Sequence, residues 1–359
     1  MLITAVENFV LFSTLFALAA FGVACSAKSL AARGLWRPHP HTLSRIYTAT
    51  LALPPLGAAW LVGAALLPES WLGPTVFDAA HSAPHNLHLL SEVTAMLEPR
   101  LAYLTLSFAV AAALFAAWSS VRGSRRVGGV IERLEMSASV PPPERLALVE
   151  RVAARHGLDV GLVMSNYQFT FVWGFCRSKL VLSSGLLCAL SAEELAGVLE
   201  HEAAHHERRD NLVKLILSLC SYASVVFPLS RLILKWRALQ VEMICDEVAV
   251  ANTSTPLEIA DALVKLRRQT AGSVISPVTE LTASKFMADD VPGFEWRVRR
   301  LLSFSDEPPA PAHVVAMSRA PLSQAFVIAS AFAATLVGIS MYAPLAVHRT
   351  AEALIQFIG

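Results

Sequence analysis

The chain has 359 residues, of which 55% are apolar and only 16% charged, with a formal net charge of +1. Ordinary globular chains carry about 25% charged residues, so the composition excludes a disordered chain, a collagen and a simple secreted domain, and argues against a wholly soluble protein. The near-zero net charge leaves no electrostatic case for direct binding of nucleic acid.

The charges are unevenly placed. Residues 120–320 hold 23 of the 29 Lys and Arg and 22 of the 28 Asp and Glu. This predicts one polar domain set among membrane spans, with the lipid bilayer as a partner. Four stretches supply the roughly 20 mostly apolar residues that a span needs. They are about 5–25, 47–67, 101–119 and 322–346. Pro54-Pro55 is expected to kink the second. The start carries Glu7 and no basic segment ahead of its apolar run, so the first span is expected to be retained, not cleaved as a signal.

The loops orient the spans. Lys28, Arg33, Arg37 and Arg45 lie between the first two, Glu69, Asp78, Glu92 and Glu98 between the second and third, and Arg122, Arg125 and Arg126 follow the third. The positive-inside rule puts the first loop and the polar domain in the cytoplasm and both termini outside. The expected organisation is a three-helix membrane region (1–121), a cytoplasmic domain (122–318), and a fourth span with a short external tail (319–359). Five cysteines (Cys25, Cys176, Cys188, Cys220, Cys245) show no CxxC and read as free thiols, in keeping with a reducing compartment. His81, His85 and His88 have helical metal spacing but no acidic or cysteine support nearby.

Within the polar domain, Gln168–Phe175 (QFTFVWGF) is rich in β-branched and aromatic residues and predicts a strand. Ser191 followed by Glu194 is a capping box, so a helix should start there, with Leu195, Val198 and Leu199 as its apolar stripe. That helix carries His201-Glu202-Ala203-Ala204-His205, an HExxH pattern. Two imidazoles four residues apart share a helix face and can reach one ion, while Glu202 can act as general base for an activated water. A zinc hydrolase needs a third protein ligand. Glu242, in VEMICDE, could complete a His-His-Glu set, and Asp246, one turn on, could orient a ligand histidine. His206 to Asp210 read as a solvated or ion-paired helix end, and Cys245 as a packed thiol.

A fifth apolar run, 212–234, contains Lys214, Arg231 and Pro228. A full crossing would put Glu242 on the opposite side of the membrane from His201 and His205. A shared ion therefore requires a hairpin that dips into the cytoplasmic leaflet and returns.

With these residues assembled, the chain resembles the BlaR/MecR-type integral-membrane zinc metallopeptidases, and more distantly the HtpX/Ste-type membrane gluzincins. The likeness rests on residues 169–211, on EMICDEVAV, on FEWRVRRLL (294–302), and on the layout of three spans, zinc domain and fourth span. It implies a mainly α membrane protein with four transmembrane helices and an α+β gluzincin-type domain in a bacterial inner membrane. It also implies Zn²⁺ on His201, His205 and Glu242, Glu202 as general base, Asp246 behind a ligand histidine, and a possible homodimer. About a dozen residues follow the fourth span, where the antibiotic-sensing members carry a penicillin-binding sensor, so no such sensor is expected.

In gluzincins a strand before the zinc helix pairs with extended substrate through its edge. The resemblance implies that role for Phe171, Val172, Trp173 and Gly174; a plain core strand is the alternative. Arg267, Arg268 and His156 are available as oxyanion donors. The expected activity is zinc endopeptidase cleavage of a cytoplasmic or membrane-proximal protein or peptide, with a transcriptional repressor as one substrate class. The alternatives are a processing protease for a small peptide or membrane protein, and a non-catalytic signalling or scaffold protein. The linker 303–313 offers Ser303-Phe304 as a candidate self-cleavage bond.

Overall fold

The computed structural model describes residues 2–66, 107, 110, 111, 114, 118, 140–175, 177–222, 227–270, 283–285 and 291–306. Two long helices open the chain, α1 (Leu2–Ala32) and α2 (Pro40–Leu66). Among the described residues, Phe12–Ala32 is the one stretch long and apolar enough to cross a membrane by length and composition. It ends seven residues later than the sequence suggests, because the helix runs on through Lys28. The Lys28 ammonium lies 4.0 Å from the Trp236 ring centre, so the charge is carried on an aromatic face while the stem stays in an apolar setting. α2 runs through Pro54 and Pro55 as helix. The expected spans at 101–119 and 322–346, the 303–313 linker beyond residue 306, and His81, His85 and His88 fall outside the described residues or are described only at single positions.

The polar domain starts with α3 (Pro143–His156), followed by β1 (Asp159–Val163), β2 (Thr170–Trp173), β3 (Lys179–Ser183) and the short α4 (Ser184–Ala189). Then come α5 (Ala192–Arg208), α6 (Asp210–Tyr222), α7 (Phe227–Thr253), α8 (Pro256–Thr270), β4 (Ala283–Lys285) and α9 (Val291–Ser303). The sheet order is β1-β3-β2-β4, with β1 parallel to β3 and β2 antiparallel to both neighbours.

The α5 start follows from its sequence. Ser191 Oγ accepts from the Glu194 N–H at 3.1 Å, and the Glu194 carboxylate accepts from the Ser191 N–H at 2.8 Å. This reciprocal cap satisfies two N–H groups that no helical carbonyl can reach. α5 is then buried on most of its circumference: Leu195, Val198, Leu199 and Ala203 lie in the main core with Leu180, Leu182 and Leu186 from the sheet side and Ile259 and Leu263 from α8. α8 approaches so closely that a Cβ on Gly197 would sit 2.4 Å from Ile259 Cγ1.

α6 and α7 bear on the fifth apolar run. At about 1.5 Å per residue the 13-residue α6 is about 20 Å long, short of the ~30 Å hydrocarbon thickness. α7 packs back against α6 and against α2. Val213 and Leu217 of α6 and Ile233 of α7 share a core with Ala24, Ala27, Leu43, Tyr47 and Leu51 of α1 and α2. The chain thus reverses between Tyr222 and Phe227, and α7 leads from the α1–α2 layer, where Arg237 donates to Thr48 at 2.9 Å, back to α5.

Two readings need correction. Ser303-Phe304 is exposed at Ser303 but not extended: Ser303 ends α9 and Phe304, half-buried, packs against the main core, so neither residue offers the extended backbone a protease binds. His156 is not an oxyanion donor at the HExxH helix. It closes α3 and bonds Glu200 at 3.0 Å and Glu207 at 2.7 Å, with Arg155 and Asn252 also on Glu200.

The two glutamates hold His156 charged, raising it from 6.5 to about 9 against the opposing effect of burial. A group raised on folding stabilises fully below its unfolded value and loses that contribution as pH climbs through the folded value. Denaturant midpoints of the chain in detergent are expected to fall between about pH 6.5 and pH 9, and His156→Gln to remove most of that slope.

Candidate metal centre

α5 and α7 bring His201, His205 and Glu242 to one point. The two imidazole Nε2 atoms are 3.2 Å apart, and Glu242 oxygens lie 3.4 Å from His201 Nε2 and 3.5 Å from His205 Nε2. All three side chains are buried, and one donor atom from each falls within 4.8 Å of the others.

The far sides of the rings decide what this cluster can hold. His201 Nδ1 is 2.9 Å from Asp246 Oδ1, and His205 Nδ1 is 3.0 Å from Asp210 Oδ2. A carboxylate behind each ring anchors its Nδ1 side and leaves Nε2 facing the shared point. Against burial, their acidic neighbours hold both histidines above the ordinary value, so the rings are set to carry positive charge here, and a shared divalent cation would take the place of those protons. The donor set of two imidazoles and one carboxylate fits zinc with a further position open.

The surrounding charges are matched in pairs. Burial opposes the charge on Glu242, but His205 and Arg297 outweigh it and hold the carboxyl well below its usual range. Asp246 is kept ionised against burial by Arg297, and Asp210, also buried, is held at about 2 by Arg208 and His205. Glu202 is the exception. Sealed from solvent, with neither oxygen in a hydrogen bond of ordinary geometry among the described residues, it is pushed up to about 7 by burial, which outweighs the neighbouring histidines. A carboxyl poised there can both take and give a proton near neutral pH.

Of the solvated or ion-paired helix end that the sequence suggests, Arg208 and Asp210 form the ion-paired version. Both are buried, and Arg208 Nε donates to Asp210 Oδ2 at 3.1 Å. The turn responsible is Arg209, in the left-handed conformation at φ 52°, ψ 41°, where it closes α5 and folds Asp210 back under His205. Cys245, a fully buried thiol pushed up to about 11 by burial, lies 3.5 Å from His205 Nδ1. His205, Asp210 and Cys245 also cluster closely enough to hold an ion. The Arg208 guanidinium on the same Asp210 oxygen makes this the orienting contact for His205, since a second cation there would face a fixed positive charge.

Phe171, Val172, Trp173 and Gly174 lie on and just after β2, the strand against α5, but β2 is not an edge. β3 pairs one side and β4 the other, with Phe171 opposite Lys285 and Trp173 opposite Ala283. Phe171 and Val172 are also buried, so the strand reads as core wherever β4 stays paired. Asn211, which sequence reasoning passed over, donates to the carbonyls of Val172 at 2.8 Å and Gly174 at 3.2 Å and ties β2 to the start of α6. Gly174 takes φ +108°, and a Cβ there would meet the Arg177 carbonyl at 2.5 Å.

Comparison with known proteins agrees with this geometry. Residues 144–270, about a third of the chain, match the model of Peptidase family M48. The chain is also 28% identical over 148 residues to the "Protease HtpX homolog" of Methanocaldococcus jannaschii, an overlap of 40% of this chain and 49% of that protein. It thus spans about half the length of this curated relative. Both matches support a metallopeptidase domain around α5 and α7.

Replacing the Asp210 carboxylate with an amide removes the charged acceptor behind His205 and strands the Arg208 cation. Asp210→Asn is expected to weaken divalent-metal binding by about 10–100-fold, measured by competition with a chelator.

Proposed function

We propose that this chain is a membrane-embedded zinc endopeptidase that cuts a membrane-proximal protein or peptide on the cytoplasmic side. The convergence of His201 Nε2, His205 Nε2 and Glu242 in a buried site, beside the unpaired Glu202 carboxyl, carries the reading. His201, His205 and Glu242 hold the ion, with Asp246 and Asp210 fixing the two rings. Zinc bound there would supply an activated water and polarise the scissile carbonyl. Glu202 accepts the proton of the attacking water and passes it to the leaving amine, a role suited to a carboxyl near 7.

Two observations support the membrane-proximal location. α7 carries Trp236 and Arg237 against α1 and α2, and Glu242 and Asp246 follow within three turns. The α6–α7 reversal supports the hairpin expected from the sequence, with the zinc ligands on the side from which the chain entered. The four-span topology and a BlaR/MecR-type role in processing a repressor belong to the same proposal and rest on the resemblance of the sequence.

The test uses protein purified in detergent. Wild type is expected to bind about one zinc per chain, and Glu242→Ala to lose it. Glu202→Gln is expected to keep zinc while peptide cleavage falls by about 10²–10⁴-fold. Wild type without zinc, or Glu202→Gln cleaving at the parent rate, would overturn the proposal.

A further inference from the structure

α9 lies outside the stretch that matches the peptidase family, yet it reaches into the metal centre. Arg297 is fully buried. Its Nε donates to Asp246 Oδ2 at 2.8 Å and its Nη2 to Asp246 Oδ1 at 2.9 Å, while Nη1 lies 3.2 Å from Glu242 Oε2. One guanidinium thus holds the carboxylate behind His201 and the carboxylate proposed to bind zinc. One turn on, Arg300 pairs with the buried Glu247, which also receives His39 Nε2 at 3.0 Å from the segment between α1 and α2. Two arginines on one face of α9 therefore engage three acidic residues of α7.

A cation beside a divalent ion is repulsive taken alone. Arg297 is understandable at this position only through what it does to the carboxylates. The planar fork fixes both oxygens of Asp246, so that Oδ1 is presented to His201 Nδ1, and it restrains the rotation of Glu242. With α9 displaced, both carboxylates would be buried without their counter-charge, and the ligand set would lose its arrangement.

We propose that Arg297 is a positioning residue and that α9 acts as a lock on the metal centre: seating of α9 sets metal affinity, and metal binding in turn seats α9. The reciprocity is a thermodynamic necessity once the two are coupled. The rest of the α9 face anchors the lock, with Leu301 fully buried and Phe294, Val298 and Phe304 against the main core. Because α9 ends at Ser303, a pull on the chain beyond it would act directly on the zinc ligands. This inference rests on the zinc reading above.

The decisive measurement is hydrogen exchange of the full chain in detergent, carrying Glu202→Gln to prevent digestion, with and without zinc. Amides of residues 294–302 are expected to slow at least about tenfold with zinc, along with those of α5 and α7. Alongside it, Arg297→Gln is expected to weaken zinc binding by about 10–100-fold, Arg297→Lys to recover part of the loss, and Arg299→Gln, which removes an exposed charge from the same helix, to leave it unchanged. If Arg297→Gln fails to fold, the exchange experiment decides. Exchange in α9 indifferent to zinc while α5 and α7 slow, or a folded Arg297→Gln with parental zinc affinity, overturns the lock and leaves the peptidase proposal standing. A Glu202→Gln chain that binds no zinc overturns both.

Discussion

The structure depends on one electrostatic constraint: two imidazole nitrogens and a carboxylate converge on a single buried point. Such a cluster depends on the groups behind it. It persists because each imidazole is held from behind by a carboxylate, Asp246 for His201 and Asp210 for His205, and each of those is held by a guanidinium, Arg297 and Arg208. Burial would otherwise protonate these carboxylates, and the flanking arginines keep them ionised. The charges thus radiate outward in alternating sign, and the cation implied at the centre completes the series.

This constraint explains why the helices around the centre carry charge inward. α5 supplies two histidines, α7 two carboxylates, and α9 an arginine, all at positions that a soluble helix would fill with Leu or Val. The apolar stabilisation comes from the first half of α5, where Leu195, Val198 and Leu199 meet the sheet and α8. Glu202 stands apart from the alternation. It is buried like the others but has no counter-charge of its own, which is why burial dominates it and raises it to about 7. The same pocket therefore holds carboxylates ionised well below neutrality and one carboxyl poised at it, a separation that acid–base chemistry uses.

The sequence made the local features legible and hid the long-range ones. The Ser191–Glu194 cap and the HExxH spacing are short-range patterns, and the structure contains both as written. The hairpin expected over 212–234 rests on a topological argument about Glu242, since no hydropathy rule distinguishes a span from a hairpin in that run. The burial of Asp210 under His205 was hidden, because a residue five positions past a helix histidine is ordinarily exposed. Only the left-handed turn at Arg209, a conformation unusual for a non-glycine residue, brings it back under the ring. Arg297 could not be connected to the site at all, being 51 residues from Asp246. The β2 edge failed for a similar reason: its partner β4 is three residues long and more than a hundred residues away, too short to leave a periodic signal.

The α1–α2 layer and the metal centre are parts of one mechanical unit. α7 is a single helix of 27 residues, about 40 Å, with its first half packed on α1 and α2 and its second half carrying Glu242, Asp246 and Glu247. Trp236 sits between Phe21, Lys28 and Tyr47, so any tilt of α1 or α2 is felt by α7 six residues before the proposed ligand. His39 reaches the same helix from the other end of the α1–α2 connection through Glu247, where Arg300 of α9 also arrives. A close-packed helix does not absorb such displacement along its length. The centre is therefore braced from both sides of the chain, by α1 and α2 before the polar domain and by α9 after it, and the arrangement of His201, His205 and Glu242 is a property of that whole assembly as much as of the HExxH helix.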